Sequence, residues 1–340
     1  MGSATEAALR LKGKECLAMK IVIPGGSGHV GTILARAFQR DGHDVVVLSR
    51  LPRTLAWRVA AWDGETIGDW VHEIDGADVV VNLAGRSVNC RYNEANRRAI
   101  LDSRLRSTRI VGEAIARSRR PPRVWLQAST ATIYSHRYDA PNEERTGILG
   151  GHEPRAPSTW RFSIDVARAW EAALDAAEVG DTRKVALRSA MVMSPEPGGI
   201  FDTLYRLVRL GLGGRAGDGR QFVSWIHCAD FVSALRWLIE HDEIAGAVNV
   251  AAPGPLPHAE FMRMLRAAAG VPVGLPATNW MLELGAVVLR TETELVLKSR
   301  RVVPGRLLEG GFGFRYPSWP TAAADLCTER RGLKPRQVAV

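Results

Sequence analysis

The residues with the most specific spacing for chemistry are the glycines of a turn near the start of the chain. Gly25, Gly28 and Gly31 follow a short apolar strand and open a helix-period run. A helix N-terminus offers unpaired N–H groups and a positive dipole end, so it binds phosphate when no side chain blocks the approach. The pattern predicts a dinucleotide site in which Gly25 permits the turn, Gly28 admits the pyrophosphate and Gly31 packs on the strand. The expected binding residues are Gly25, Gly26, Ser27, Gly28, His29, Val30 and Gly31.

The end of the second predicted strand indicates which dinucleotide binds. An acidic residue there would bind the ribose 2′-hydroxyl of NAD, whereas an arginine accommodates the 2′-phosphate of NADP. The chain has Ser49 and Arg50 there, with Arg53 nearby and no acid. Because a guanidinium suits phosphate, we expect Arg50 to bind NADP(H), with NAD(H) less favoured. The alternative is a solvent-facing arginine in an arginine-rich chain.

Small residues follow a later strand, in the run Asn82-Leu83-Ala84-Gly85. They would leave room for the ribose and nicotinamide of the cofactor, so we expect all of them at the cofactor site. Small residues also occur wherever a chain turns tightly after a strand. This run therefore supports the prediction only together with the glycine turn.

Short buried strands alternate with helical patterns from residue 20 onward. This alternation predicts an α/β fold with a doubly wound, parallel Rossmann sheet. The predicted strands are Lys20–Pro24, Asp44–Ser49, Ala77–Leu83, Val124–Ser129, Val185–Arg188 and Ala247–Val250, and the predicted helices include 93–118, 159–177 and 229–240.

The second half of the chain has a different organisation. We expect residues 19–190, rejoined by a strand at 247–251, to form the NADP-binding domain. Residues 191–226 and 252–328 would form a smaller, mainly helical substrate lobe over the carboxyl ends of the strands, where open α/β sheets bind ligands. Residues 1–18 are predicted to be a poorly ordered extension and 329–340 a tail.

Composition argues against several classes of protein. The net charge is +9, but no basic run is long or interleaved with aromatic residues, so a nucleic-acid partner is not expected. The four cysteines form no Cys-x-x-Cys pair and no histidine cluster has metal spacing, which predicts a reducing compartment and no metal. No segment predicts a signal peptide or a membrane span. We expect a cytoplasmic monomer or homodimer with a small-molecule substrate.

Several motifs in order resemble the extended or atypical short-chain dehydrogenase/reductase superfamily, of the NAD(P)-dependent epimerase/dehydratase type. They are the glycine turn, Asn82–Gly85, the run Ala128-Ser129-Thr130-Ala131-Thr132-Ile133-Tyr134, and Ser224–Asp230. The chain is similar in particular to an epimerase-like subgroup with a C-terminal domain of unknown function. The marks of that subgroup include Asp102-Ser103-Arg104, Arg168–Glu171, Gly219–Gln221, Arg301–Pro304 and Gly311–Pro317.

The resemblance implies a catalytic site in which a tyrosine is the base, helped by a lysine one helical turn later. It also implies a strand-end hydroxyl that holds the substrate oxygen. Thr130 best matches that hydroxyl, with Ser129 and Thr132 adjacent, although a strand-end hydroxyl also commonly bonds backbone groups. With Glu171 as the acid later in the helix, Ser163 and Ala167 stand where the tyrosine and lysine should be, and neither can replace them.

The resemblance places the lobe residues Arg220, Gln221, Trp225 and His227 near the substrate. His227 could protonate a substrate, but a structural role at a helix start is the favoured alternative. Tyr134 lies beside the site, and Arg91 and Arg104 could face an acidic substrate. The first hypothesis is an NADP(H)-dependent oxidoreductase or epimerase-like enzyme for a small polar, acidic or nucleotide-linked substrate, lacking the tyrosine–lysine relay. The second is a non-catalytic NADP(H)-binding redox sensor or interaction protein.

Overall fold

Seven parallel strands form the central sheet of the computed structural model, which describes residues 18–51, 54–151, 153, 157, 160–278 and 293–333. Numbered along the chain, they are β1 (Lys20–Pro24), β2 (Asp44–Ser49), β3 (Arg58–Ala61), β4 (Val79–Asn82), β5 (Val124–Thr130), β6 (Arg183–Ser189) and β10 (Gly246–Val250). Their order across the sheet is β10-β6-β5-β4-β1-β2-β3, and every neighbouring pair is parallel. The predicted doubly wound Rossmann sheet is confirmed. Arg53 and residues 1–17 lie outside the described residues.

Helices cover both faces of this sheet. They are α1 (His29–Arg40), α2 (Val71–Ile74), α3 (Glu94–Arg117), α4 (Arg161–Asp175), α5 (Ile200–Arg209), α6 (Cys228–Glu240), α7 (His258–Ala269), α8 (Glu294–Leu297), α9 (Gly305–Glu309) and α10 (Trp319–Gly332). One apolar layer includes Phe38 of α1 and Leu235 of α6, and the opposite layer includes Val111 of α3 and Leu174 of α4. Because both faces are covered, the central strands have continuous apolar runs, such as Ile21–Ile23 and Val79–Val81.

The sheet reverses its direction of winding between β1 and β4. β1 leads outward to β2 and β3, whereas β4 leads the other way to β5, β6 and β10. A crevice therefore opens beyond the carboxyl ends of β1 and β4, which is where open α/β sheets bind ligands. The glycine turn follows β1 and the Asn82–Gly85 exit follows β4, so the sequence motifs meet at this point.

The smaller lobe has its own core, formed mainly by α5, α7 and α10. Phe261 stacks on Trp319 with 4.0 Å between ring centroids, and Trp319 also packs on Trp225. Two short strand pairs complete the lobe: β7 (Met191–Met193) with β9 (Trp225–His227), and β8 (Phe222–Val223) with β11 (Leu256–Pro257). The sequence patterns predicted neither these pairs nor β3, because strands of two to four residues are too short to show a period.

No helix among the described residues is long and apolar enough to cross a membrane. Cys90, Cys228 and Cys327 are free thiols.

Candidate active site at the carboxyl ends of the strands

The three glycines of the turn after β1 have different steric surroundings. Gly25 has φ of +74°, and a Cβ there would lie 2.6 Å from the Cα of Ala84. A Cβ on Gly31 would lie 2.4 Å from the Cα of Gly26, so only glycine lets α1 pack on the turn. A Cβ on Gly28 would meet only the carbonyl oxygen of Gly25, at 3.6 Å. The protein itself thus leaves the approach to Gly28 open.

Gly28 is also the N-cap of α1, and no side chain caps this helix end. The first turn of α1 contains no acidic residue. The first turn of α1 therefore supplies no acidic group of its own to neutralise the positive end of the helix dipole. The His29 side chain lies against the start of α5, where a Cβ built on Gly199 would be 2.5 Å from its Nε2. These features fit the pyrophosphate of a dinucleotide.

The exit from β4 lies directly against this turn. The Leu83 N–H donates to the Pro24 carbonyl at 2.9 Å. Asn82 is fully buried and its side chain accepts from the Ala84 N–H and donates to Gln127. The Asn82 side chain therefore holds the backbone after β4 in place, and of the two small residues that follow, Ala84 is buried and Gly85 is exposed.

The end of β2 carries a serine and an arginine. The Ser49 hydroxyl lies 3.1 Å from the hydroxyl of Ser27, which ties this strand end to the glycine turn. Arg50 is exposed, and no ion pair among the described residues involves it. The Arg50 guanidinium is therefore available at the position where a 2′-phosphate is expected.

A cavity of about 240 Å³ opens beside β5, α3 and α4. Its walls combine hydroxyl groups, one arginine and apolar side chains. They are formed by Val88, Tyr92, Ile100, Arg104, Ser129, Thr130, Thr132, Phe162, Ser163, Val166 and Trp170. The structure thus brings together Ser129, Thr130, Thr132 and Arg104 from the sequence predictions. A larger groove of about 590 Å³ between α3 and α4 is lined mostly by alanines and lacks hydroxyl groups.

The three predicted hydroxyls have different partners. Ser129 donates to Glu171 at 2.6 Å, so its proton is engaged inside the protein. The hydroxyl oxygen of Thr132 accepts from Arg300 Nε at 3.1 Å. Thr130 accepts from the Thr132 N–H at 3.2 Å, which leaves its own proton to donate. Of the three, Thr130 is best placed to hold a substrate oxygen.

Tyr134 does not face this cavity, which corrects the prediction that it contacts substrate. It is 2% exposed, and its hydroxyl donates to Asn249 while accepting from Arg188, both at 2.9 Å. Arg188 in turn forms a two-point ion pair with Glu171. Burial raises the pKa of Tyr134. A tyrosine whose proton and lone pair are both engaged in a core network is not available as a base.

Ser163, which the sequence analysis aligned with the tyrosine of the superfamily, reaches a buried carboxylate. Its hydroxyl donates to Glu294 Oε2 at 2.7 Å, and the other oxygen of Glu294 lies 3.8 Å from Lys298 Nζ. Ser163 also hydrogen-bonds Tyr92, and burial raises the pKa of Tyr92 to about 12. A tyrosine, a serine and a carboxylate are therefore connected at the cavity wall, with a lysine behind them.

Lys298 and Arg300 bring two further cations to this wall. Lys298 donates to the carbonyl oxygen of Thr132 at 2.9 Å, and burial lowers its pKa to about 8. Arg300 is bonded to the hydroxyl of the same threonine. Arg91 lies on the loop before α3, where its carbonyl accepts from Asn96 at 2.7 Å. Arg91 does not line the cavity formed by the described residues.

Three predicted lobe residues are structural. This corrects the assignment of Gln221 and Trp225 to the site and agrees with the helix-start role favoured for His227. His227 is 2% exposed, caps α6 by accepting from the Ala229 N–H at 3.1 Å, and stacks on Tyr316. Gln221 is buried, and Trp225 lies fully inside the lobe core.

The polar groups of these three side chains face other parts of the lobe. The Gln221 amide donates to two carbonyl oxygens, the Trp225 indole donates to Gly254, and the free ring nitrogen of His227 lies 3.2 Å from Asp325.

Arg220 is exposed and lies over the ring of Tyr138, away from the cavity lining.

The sequence interpretation missed the contribution of Tyr92, Glu294, Lys298 and Arg300. Glu294 and Lys298 are four residues apart and enclose Leu295, Val296 and Leu297. A charged pair at helical spacing around an apolar run was the available signal. Its position against Ser163, far away in sequence, was not readable without the fold.

Comparison with known proteins agrees with this arrangement. The sequence profile of the NAD dependent epimerase/dehydratase family matches residues 21–251, and that of a domain of unknown function, DUF1731, matches residues 277–326. Human epimerase family protein SDR39U1 is 30% identical over 314 residues, which are 91% of this chain and 99% of the human protein. Epimerase family protein YfhF of Bacillus subtilis (strain 168) is 30% identical over 318 residues, which are 92% of this chain and 99% of that protein.

Solved structures share the fold. The crystal structure of human SDR39U1 (isoform 2) with NADPH superposes with a TM-score of 0.80 at 29% identity, covering 91% of this chain and 99% of that one. UDP-N-acetylglucosamine 4-epimerase from Bacillus cereus has a TM-score of 0.71 at 17% identity, over 93% of this chain and all of the epimerase, and shows the fold alone. The resemblance found in the sequence is confirmed. With its glycine turn, sheet order and family match over more than half of its length, this chain belongs to the NAD dependent epimerase/dehydratase family and carries the DUF1731 domain after it.

Proposed function

We propose that this protein binds NADP(H) at the glycine turn and acts as an epimerase-like oxidoreductase on a small polar substrate in the 240 Å³ cavity. The observation that carries the proposal is that the glycines of the turn differ in what a side chain would collide with. The fold itself requires Gly25 and Gly31, whereas a side chain on Gly28 would obstruct only something outside the protein. An uncapped helix end beside it suits a pyrophosphate. The related human protein crystallised with NADPH supports the same cofactor.

Arg50 would distinguish NADP(H) from NAD(H). Its exposed guanidinium has no carboxylate partner among the described residues, and a 2′-phosphate would supply one or two charge-assisted hydrogen bonds. Such a bond contributes on the order of 1.5–3 kcal/mol, which is at least about tenfold in affinity.

When bound, the nicotinamide would accept or deliver a hydride, so the protein must handle the proton on the substrate oxygen. Thr130 would donate a hydrogen bond to that oxygen. Tyr92 and Ser163 would then carry the proton between the cavity and Glu294, because Ser163 is hydrogen-bonded to both. Tyr92 stays protonated at neutral pH, since burial raises its pKa to about 12, so it would serve as a donor rather than as a base.

A second candidate function is a non-catalytic NADP(H)-binding protein that responds to redox state. The observation that favours it is the absence of the superfamily's relay, since Ser163 and Ala167 occupy the tyrosine and lysine positions. Ala167 is fully buried and has no polar group to offer. This candidate predicts tight cofactor binding without turnover of any substrate.

Cofactor titration tests the shared part of both candidates. NADPH and NADH are titrated against the wild type, Arg50→Ala and the matched control Arg98→Ala, an exposed arginine paired with Glu94 on α3. We expect NADPH to bind at least about tenfold more tightly than NADH, and only Arg50→Ala to remove the preference. Equal affinities of the wild type for both cofactors would refute the assignment of NADP(H).

A substrate panel separates the two candidates. Sugar nucleotides and small carbonyl compounds are offered with NADPH to the wild type, Thr130→Val, Tyr92→Phe and Ser163→Ala. We expect sugar nucleotides to react slowly or not at all, because the loss of general acid–base catalysis costs roughly a hundredfold or more. Turnover of a small carbonyl compound that falls in Thr130→Val supports the enzyme. NADPH binding without any oxidation across the panel supports the sensor.

A further inference from the structure

Arg104 of α3 carries a positive charge into the cavity without a carboxylate partner. Its Nη1 donates to the carbonyl oxygens of Ile100 and Arg86, at 2.9 and 3.1 Å. Its guanidinium carbon lies 4.9 Å from the centre of the Trp170 ring. No ion pair among the described residues includes Arg104, and its other nitrogens are left for the cavity that it lines.

The surroundings do not neutralise this charge. Burial lowers the pKa of Arg104 to about 10, so the guanidinium remains protonated at neutral pH, and the ionisable side chains acting on it are Tyr92 and Cys90. Tyr92 is itself neutral, since burial raises its pKa to about 12. The carboxylate of Glu294, which bonds the cavity residue Ser163, lies 3.8 Å from Lys298 and is not among the groups that act on Arg104.

A buried charge without a counterion is costly, because the solvation that it loses is not replaced. Proteins normally pair such an arginine with a carboxylate. Here the aromatic face of Trp170 and two neutral carbonyls offset only part of that cost. Arg104 is half-buried, and an anion bound in the cavity would offset the rest of the cost. Arg104 and Thr130 line the same cavity, so that anion would be part of the molecule that Thr130 holds.

We propose that the substrate of this site is a small oxo or hydroxy acid whose carboxylate is bound by Arg104 while its reacting oxygen is held by Thr130. This inference rests on the proposed function, since it takes the cavity as the substrate side of the cofactor. A carboxylate is favoured over a phosphate ester because one unpaired guanidinium balances one negative charge, whereas a phosphate carries about 1.5 to 2. The planar guanidinium also matches a carboxylate in two parallel hydrogen bonds. The apolar wall residues Ile100, Phe162 and Val166 would contact its hydrocarbon part.

The test measures binding, so it does not depend on turnover. The protein saturated with NADP+ is titrated calorimetrically with 2-oxobutanoate, 2-oxohexanoate and phenylpyruvate, and with the neutral methyl ester of each. Dihydroxyacetone phosphate and dihydroxyacetone form a second pair. We expect at least one acid to bind about tenfold more tightly than its ester. Arg104→Gln should remove that difference, Arg104→Lys should keep part of it, and the control Arg98→Gln should keep all of it.

NADPH affinity is measured for every variant and separates this inference from the proposed function. Unchanged NADPH binding together with loss of the acid preference in Arg104→Gln supports the inference. The inference is overturned if acids bind no better than their esters, or if the phosphate pair shows the larger preference. It is also overturned if Arg104→Gln weakens NADPH itself, because the arginine would then hold the cofactor. Failure of the wild type to bind NADPH would refute the proposed function instead.

Discussion

At the residue scale, substitutions in the glycine turn separate folding from binding. A Cβ on Gly31 would collide with the backbone of Gly26, which cannot move without distorting the turn. A Cβ on Gly28 would make an ordinary contact with Gly25, and the φ of Gly28 is −73°, a value open to any residue. Folding therefore requires glycine at position 31, whereas at position 28 the fold would accept a side chain.

We expect Gly31→Ala to lower the melting temperature markedly and Gly28→Ala to change it little. The cost of Gly28→Ala is that of a poorer N-cap, typically a few tenths of a kcal/mol and at most about 1. NADPH affinity should fall at least about tenfold in Gly28→Ala, because the methyl group would face the pyrophosphate. Thermal unfolding and NADPH titration of the two variants check this. A Gly28→Ala variant that binds NADPH as tightly as the wild type would place the cofactor elsewhere.

Tyr134 also belongs to the residue scale. Its hydroxyl joins Arg188 to Asn249 in the core, so Tyr134→Phe leaves both of those groups short of a partner. We expect a loss of about 1–3 kcal/mol in the free energy of unfolding. NADPH affinity should stay unchanged, since the ring remains and the glycine turn is not touched. Urea unfolding together with cofactor titration measures both effects. A stable variant with specifically abolished turnover would instead make Tyr134 the catalytic base.

At the scale of elements, α7 begins with a buried histidine that holds the lobe together. His258 donates its backbone N–H to Gln221, and its Nδ1 accepts from the Ala216 N–H at 3.3 Å. Protonation of Nδ1 would break the second bond and place a charge in a site that is 8% exposed. Burial accordingly lowers the pKa of His258 from 6.5 to about 4.

This shift makes the stability of the lobe depend on pH. The folded pKa lies below the unfolded one, so the contribution of His258 is fully present above pH 6.5 and is lost as the pH falls toward 4. The loss amounts to about 3 kcal/mol. His258→Gln keeps a hydrogen-bond acceptor without titrating, so we expect its stability to fall less over this range than that of the wild type. Urea unfolding between pH 7 and 4 measures the difference, and parallel curves for the two proteins would contradict the prediction.

At the scale of the whole molecule, the segment after residue 293 connects the lobe to the Rossmann sheet. Val302 forms a bridge with Asn142, and Lys298 and Arg300 bond Thr132 at the end of β5. Ser224, between β8 and β9, donates to the Arg300 carbonyl at 2.6 Å and accepts from the Val302 N–H at 2.8 Å. The cavity wall therefore depends on contacts between parts of the chain that are far apart in sequence.

We expect Ser224→Ala to cost about 1–3 kcal/mol, because it leaves a buried N–H and a buried carbonyl without their partner. The matched control is Ser87→Ala on an exposed loop, which should change stability by less than about 0.5 kcal/mol. Chemical unfolding of both variants provides the comparison. Equal stability of Ser224→Ala and the wild type would mean that other contacts alone hold this segment.

The doubly wound parallel sheet and the glycine turn were predictable from the sequence alone, because each rests on a local pattern. A strand buried on both faces must be apolar throughout, α1 must repeat its apolar residues with a period of 3.6, and a tight turn at Gly25 must use glycine. The small residues of Asn82–Gly85 were readable in the same way, as a short run after a buried strand. The hydroxyls of Ser129, Thr130 and Thr132 were predicted from the resemblance to the superfamily.

The remainder of the site depended on tertiary structure. Whether a polar side chain faces a cavity or the core is decided by packing: Tyr134, Gln221 and His227 have the residue types of a site, yet all three are buried and bonded within the fold. Conversely, the contact of Ser163 with Glu294 joins positions 131 residues apart, a distance over which no periodicity extends. The sequence by itself determined the long strands and helices of the Rossmann sheet and the glycine turn that follows β1. Only the folded chain decided which charges remain uncompensated at the cavity, because the energy of a buried charge depends on everything packed around it.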